Sequence, residues 1–197
     1  GQQCPRFDIT GVLQPGGTVS MGGQAWQVHA APGHDPHSVI LFEPQDRILI
    51  SADALWEAGF GVIFPELDGD AGFADVGLTL DLIEGLAPRV VIPGHGRVFT
   101  DVAAALAAAR KRLNGFIADP RKHAVHAAKV LLKFKLLELQ RVHLPEFVQW
   151  AQAADLIMRV HHQHFAQVPM ADWVKNLSLD LVRSGAAAVE SDWLVNA

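Results

Sequence analysis

Ala31-Pro32-Gly33-His34-Asp35-Pro36-His37-Ser38 follows directly on the alternating run Ala25-Trp26-Gln27-Val28-His29-Ala30. The alternation predicts a half-buried strand, and the Pro/Gly cluster behind it predicts a tight turn. An imidazole is therefore offered from a loop at the end of a rigid element, where a strand can aim it. The arrangement recurs twice. Ser51-Ala52-Asp53 follows the apolar run Arg47 to Ile50, and Pro93-Gly94-His95-Gly96 follows Arg89-Val90-Val91-Ile92. Two histidines and one aspartate thus occupy equivalent places, each just past a β-branched run.

Outward from these three motifs, residues 8 to 51 read as strands and tight turns. Phe7 to Leu13 precedes Pro15-Gly16-Gly17, and Thr18 to Met21 runs into Gly22-Gly23, a hairpin turn. Ser38 to Phe42 and Arg47 to Ile50 flank the four-residue turn Glu43-Pro44-Gln45-Asp46, so the three runs after Gly23 are expected as neighbours in one sheet. From Asp53 to Gly72 the chain is Gly- and Pro-rich, and Trp56, Phe60 and Phe64 suggest a loop folded over something, either a substrate mouth or its own packing. A helical stripe through Val76, Leu80, Ile83 and Leu86 ends at Pro88. The strand Arg89 to Ile92 follows, then a helix capped by Thr100 or Asp101 and running to about Phe116. This β-α-β-α order is that of a layered α/β fold.

Asp119-Pro120 is a strong helix start. Its helix is expected to reach about Val142, with Lys129, Lys133 and Lys135 in solvent. Further starts fall at Leu144-Pro145-Glu146, near Asp155 and at Pro169-Met170. Ala186 to Val189 and Trp193 to Val195 form a candidate hairpin around Glu190-Ser191-Asp192. Helices followed by a small hairpin resemble a degenerate winged-helix module. We therefore expect two domains, 1–116 and 117–197.

Composition bounds the function. Charged residues make up 19% and apolar residues 50%, a combination with more apolar surface than one core of this size readily hides. Residues 1–119 carry seven Lys/Arg against fourteen Asp/Glu, and residues 120–197 nine against seven, giving −7 and +2. The first balance argues against a polyanion-binding surface, and the second is too small to indicate nucleic acid. No run of 18 apolar residues exists, so no transmembrane helix is expected. With one cysteine, Cys4, read as a buried or bystander thiol rather than a nucleophile, a cytoplasmic protein is the default.

The three motifs, in this order and each behind a strand, resemble the second half of the metallo-β-lactamase fold superfamily over roughly residues 8 to 116. The resemblance implies the C-terminal half of a metallo-β-lactamase-type αββα sandwich, followed here by the helical, winged-helix-like appendage. It implies a binuclear centre, usually zinc, with His34 on the first ion, Asp53 bridging both as the catalytic carboxylate, and His95 on the second. Asp35 and His37 are candidates for supplementary contacts: Asp35 as acceptor for an imidazole or as turn stabiliser, His37 as extra ligand or surface residue. The superfamily's His-x-His-x-Asp-His run occurs nowhere in the 197 residues. The expectation is a chain that is catalytically silent alone, binds metal weakly, and either pairs with a missing N-terminal half or self-associates.

The implied activity is hydrolysis of an ester, thioester, lactam or similar bond in a small-molecule substrate. The rival readings are a noncatalytic binding or dimerisation module with a degenerate metal site, and a nucleic-acid-processing member. His123 with His126, and His161 with His164, lie three apart on expected helices and are read as solvated rather than as ligands.

Overall fold

The computed structural model describes residues 6–197 and divides into two compact units, which meet in the chain at residues 119 and 120. Cys4 lies outside the described residues.

The first unit contains β1 (Thr18–Met21), β2 (Gln24–Ala30), β3 (Val39–Glu43), β4 (Ile48–Ala52), α1 (Phe64–Asp68), α2 (Gly72–Leu86), β5 (Val90–Pro93) and α3 (Val102–Ala118). The strands form one sheet in the order β1-β2-β3-β4-β5. Short hairpins and the eight-residue loop 31–38 make the first three pairings antiparallel, whereas α2 crosses back over the sheet to bring β5 in parallel to β4. Gly22 and Gly23, with φ of 62° and 79°, supply the two left-handed residues of the β1–β2 turn. In the β3–β4 turn the buried Glu43 carboxylate accepts the backbone N–H groups of Gln45 at 2.9 Å and Asp46 at 2.7 Å, so a charge inside the fold is satisfied by the turn it shapes.

Register decides what each face of this sheet does. Phe42, Leu49 and Val91 line up across β3, β4 and β5, and all are buried with Leu80, Ile83, Leu106 and Leu113 of α2 and α3. The opposite face carries the row Val28, Leu41, Ile50 and Ile92, in which Val28 is buried, Leu41 and Ile50 are half-buried and Ile92 is 38% exposed.

Two local expectations change. Phe7 to Leu13 contributes no strand; Phe7, Ile9 and Val12 are more than 70% exposed, since β1 forms the sheet edge and no strand from this segment pairs with it. The segment 53–72 is not all loop, because Pro65 at the start of a turn nucleates α1, which Gly69 ends in a left-handed conformation. The remaining helix signals act as read: Ala87 closes α2 ahead of Pro88, and the Asp101 carboxylate accepts Ala104 N–H at 3.1 Å to cap α3.

The second unit contains α4 (Pro120–Leu139), β6 (Arg141–His143), α5 (Leu144–Gln152), α6 (Asp155–His164), α7 (Met170–Arg183), β7 (Ala187–Glu190) and β8 (Trp193–Asn196). Its antiparallel sheet runs β6-β8-β7. The α4 helix stops before Val142, because Gln140 turns left-handed at φ 61° and Val142 pairs with Leu194 instead. Leu132, Leu136, Phe147, Ile157, Val174 and Leu194 are buried within this unit.

Three polar side chains here depart from the solvated role expected of them. Lys133 Nζ donates to Ala186 O, Asn196 Oδ1 and Ala197 O, using all three ammonium protons on the chain's last strands. His123 and His161 are buried, and His161 Nε2 donates to Val168 O at 2.8 Å. Among the described residues no helix is long and apolar enough to cross a membrane.

Candidate metal centre

All three sequence motifs leave the same end of the first unit's sheet. His34 lies in the turn after β2, whose ends are tied by Ala31 N–H donating to Ser38 O at 2.8 Å. Gly33 is required there, since its φ is +143° and a Cβ would come within 2.5 Å of Val76 Cγ2 on α2. Thr79 of the same helix donates its hydroxyl to Pro32 O at 2.9 Å, so α2 holds the turn down.

The orientation of the His34 ring is fixed by a backbone carbonyl. Nδ1 lies 2.6 Å from Val62 O, which can only accept, so Nδ1 carries a proton, and a ring with one proton has its free lone pair on Nε2. That nitrogen faces Asp53 Oδ2 at 3.5 Å. This is how a metal-binding imidazole is normally prepared, with one nitrogen committed to a hydrogen bond and the other presented. Asp35 does not take this role. Its Oδ1 accepts the backbone N–H of His37 at 2.8 Å and so shapes the turn, while the His37 side chain is exposed.

Asp53 follows a β-bulge between Ile50 and Ala52, and Ala52 sits at φ +46°. A non-glycine residue in this region costs about 1–3 kcal/mol, and here the bulge re-aims the next side chain. Ala52 O accepts Gly94 N–H at 2.7 Å, and Asp53 O accepts Gly61 N–H at 2.9 Å. Both partners must be glycine for contact reasons. A Cβ on Gly94 would lie 2.8 Å from Asp53 Oδ1, and one on Gly61 would lie 2.7 Å from His34 Nδ1.

His95 follows β5, and its Nε2 is 3.7 Å from Asp53 Oδ1 with the side chain 65% exposed. The carboxylate of Asp53 therefore stands between two imidazoles and turns one oxygen to each. The loop after His95 and the loop after Asp53 are joined at the surface by Arg97, which donates Nε and Nη2 to the two Glu57 carboxylate oxygens at 3.2 and 3.1 Å. That paired hydrogen bonding holds the Arg97 guanidinium above its usual range.

Aromatic rings complete the surroundings. Phe64 stands 5.4 Å from the His34 ring, and Trp56 stands edge-on to His95 at 5.2 Å. Phe60, by contrast, is buried in the core and contributes packing only. Trp56, Gly61 and the Val62 carbonyl escape a reading by motif, because the only sequence signal for them is an aromatic, glycine-rich stretch after Asp53.

The donor set fits divalent metal in kind: imidazole nitrogen and carboxylate oxygen suit zinc and iron alike. In number it falls short. Among the described residues no group of three or more His, Cys, Asp or Glu side chains is gathered closely enough to hold an ion alone. Asp53 is the neighbour the two histidines share, with His34 facing one of its oxygens and His95 the other.

Residues 3–95 match the profile of the Metallo-beta-lactamase superfamily. Among solved structures, the chain is similar to a metallo-beta-lactamase family protein from Thermus thermophilus, at 17% identity and a TM-score of 0.46 over 94% of this chain and 54% of that one. A Beta-lactamase domain protein from Burkholderia ambifaria matches at 19% identity and a TM-score of 0.48, over 98% and 53%. TTHA1623 in a di-iron-bound form matches at 25% identity and a TM-score of 0.42, over 53% and 49%. The chain thus spans about half the length of these structures. No curated protein sequence matches it.

Proposed function

We propose that this chain, whose residues 3–95 match the metallo-beta-lactamase superfamily profile, carries part of a two-metal hydrolytic centre. His34 would hold one ion, His95 the other, and Asp53 would bridge them. One observation carries this reading: the two oxygens of Asp53 each face a histidine Nε2, at 3.5 and 3.7 Å. Metal held there, zinc or iron, supplies Lewis acidity for cleaving an ester, thioester, lactam or similar bond.

The chain's own residues do the rest. The Val62 carbonyl keeps Nε2 of His34 free, Gly61 and Gly94 let the backbone close on the carboxylate, and the exposed His95 leaves that side open to substrate. Each ion needs at least three protein ligands for tight binding, and this chain offers each only an imidazole and a shared carboxylate. The residues present are therefore read as a half-site, completed by side chains beyond this set. The same shortage supports the second reading, a binding or dimerisation module whose centre has degenerated. In the second unit, helices around a three-stranded sheet ordered β6-β8-β7 support a winged-helix-like module.

Elemental analysis with an ester, thioester and lactam panel tests the proposal. This chain alone should hold substoichiometric metal and turn over nothing, whereas a longer protein that adds a His-x-His-x-Asp-His segment should hold two ions and be active. Two tightly bound ions in the present chain would refute the half-site, and full activity of the longer protein carrying Asp53→Ala would refute the ligand assignment.

A further inference from the structure

Trp56 makes two contacts at the centre, and each goes to a different member of it. Its Nε1–H donates to Asp53 Oδ1 at 3.1 Å, the same oxygen that faces His95 Nε2. Its ring meets the His95 ring edge-on at 5.2 Å. A carboxylate on a short side chain can rotate about its last bond, and a rotation here would remove both oxygens from their imidazoles. One indole N–H on one oxygen blocks that rotation, and the same indole limits the exposed His95 ring.

The loop that carries Trp56 is built to hold it there. Trp56 N–H donates to Gly59 O at 2.6 Å, closing a tight bridge only three residues after Asp53. Gly59, at φ +138°, rests on Arg112, where a Cβ would lie 2.7 Å from the guanidinium. Arg112 in turn stands over the rings of Phe60 and Phe116 at 5.3 and 5.5 Å, and burial lowers its pKa. Two residues on, Gly61 N–H returns to Asp53 O. The hairpin is thus pinned at both ends with the indole between.

We infer that Trp56 is a positioning residue, which sets the plane of the Asp53 carboxylate and the place of His95 so that one oxygen is presented on each side. The inference rests on the proposed metal reading for its consequence, but its hydrogen bond exists with or without metal. Residues that orient metal ligands typically change affinity by about 10–100-fold when altered.

The test uses this chain, its zinc titration and the tryptophan indole N–H signals in proton–nitrogen NMR, with the Trp56 signal identified by its loss in Trp56→Phe. Asp53→Ala should shift the Trp56 indole signal even without metal. Trp56→Phe keeps an aromatic ring against His95 but removes the N–H, so zinc affinity should fall about tenfold or more, and the visible bands of the cobalt-substituted protein should change. Zinc binding equal to wild type in Trp56→Phe, with loss only in Trp56→Ala, would reduce Trp56 to packing and overturn the inference. Should Trp56→Phe not fold, the Trp56 indole signal is identified by sequential assignment of the wild-type chain, and its titration decides: movement of that signal with zinc supports positioning, and no movement at saturation overturns it. A wild-type chain that takes up no zinc or iron sinks the metal reading, while the Asp53→Ala shift still decides the hydrogen bond.

Discussion

Nε2 of His34 and Oδ2 of Asp53 face each other across 3.5 Å, while Nδ1 of the same ring is committed to the Val62 carbonyl, so that with one ring proton two lone-pair groups are opposed. Two acceptors so placed are held apart by nothing attractive until a cation or a second ring proton enters. Asp53→Asn puts an amide N–H against the same nitrogen, while its oxygen can still accept from Trp56. Metal uptake should then be lost, and the metal-free chain should be as stable as wild type or more so, by up to about 1 kcal/mol for a hydrogen bond gained. Urea melts paired with elemental analysis check this; a variant that both unfolds early and keeps its metal contradicts the argument.

Gly94→Ala should be among the most damaging small substitutions in the first unit. The new Cβ would meet Asp53 Oδ1 at 2.8 Å and the Ala52 carbonyl carbon and oxygen at 3.0 Å, and backbone atoms cannot swing aside. We expect a loss of about 1–3 kcal/mol together with weaker metal binding. Gly85→Ala is the matched control: nothing lies within 4 Å of its Cβ on α2, and a stabilisation of about 0.5–1 kcal/mol is expected there. Equal effects at the two positions, read by chemical denaturation, would count against the close-contact explanation.

Acid should destabilise both units below neutrality. Burial lowers the pKa of His29 in the first unit, and burial together with the charge of Arg121 lowers that of His164 in the second. A histidine whose folded pKa lies below its unfolded value of about 6.5 binds its proton more readily in the unfolded chain. Its contribution is complete above that unfolded value and is lost as pH falls through the folded one. Urea midpoints at pH 7.5 and 5.5 should differ in that sense, and His164→Asn should shrink the difference. A midpoint that rises on acidification would show that the sign is wrong.

The row Val28, Leu41, Ile50 and Ile92 offers the sheet's second face as an apolar surface, and self-association of this chain through it is expected. Ile92→Lys places a charge on its most exposed member and should reduce both light scattering at high concentration and binding of a hydrophobic dye. A wild-type chain that stays monomeric and binds no dye would remove the basis for this expectation.

Much of this architecture is legible in the sequence because it is local. The Gly22-Gly23 hairpin, the Glu43 turn, the Asp101 cap and the Pro-Gly-His turn are each set by residues next to one another. The convergence of His34, Asp53 and His95 was legible through the order of three motifs. What was hidden is loop geometry and long-range contact: Trp56 reaches Asp53, three residues back, through a loop closed by its bridge to Gly59, and the hydrogen bond of His34 Nδ1 goes to a carbonyl 28 residues away. Lys133 and His161 misled for the same reason, since their partners lie on chain segments that helical periodicity does not reveal.

The parallel pairing of β4 and β5 has a bearing on the order in which the centre is assembled. β2, β3 and β4 are joined by connections of eight and four residues, so the strands that lead to His34 and Asp53 can pair as a meander at little entropic cost. His95 is expected to join them after α2 has docked, because it follows β5, which pairs with β4 at Ile50 and Ile92. Sequence-distant pairing of this kind is slow compared with hairpin closure. During refolding, the Asp53 oxygen that faces His34 should therefore acquire its neighbour before the other oxygen does, and the centre should become two-sided only in the last step of collapse.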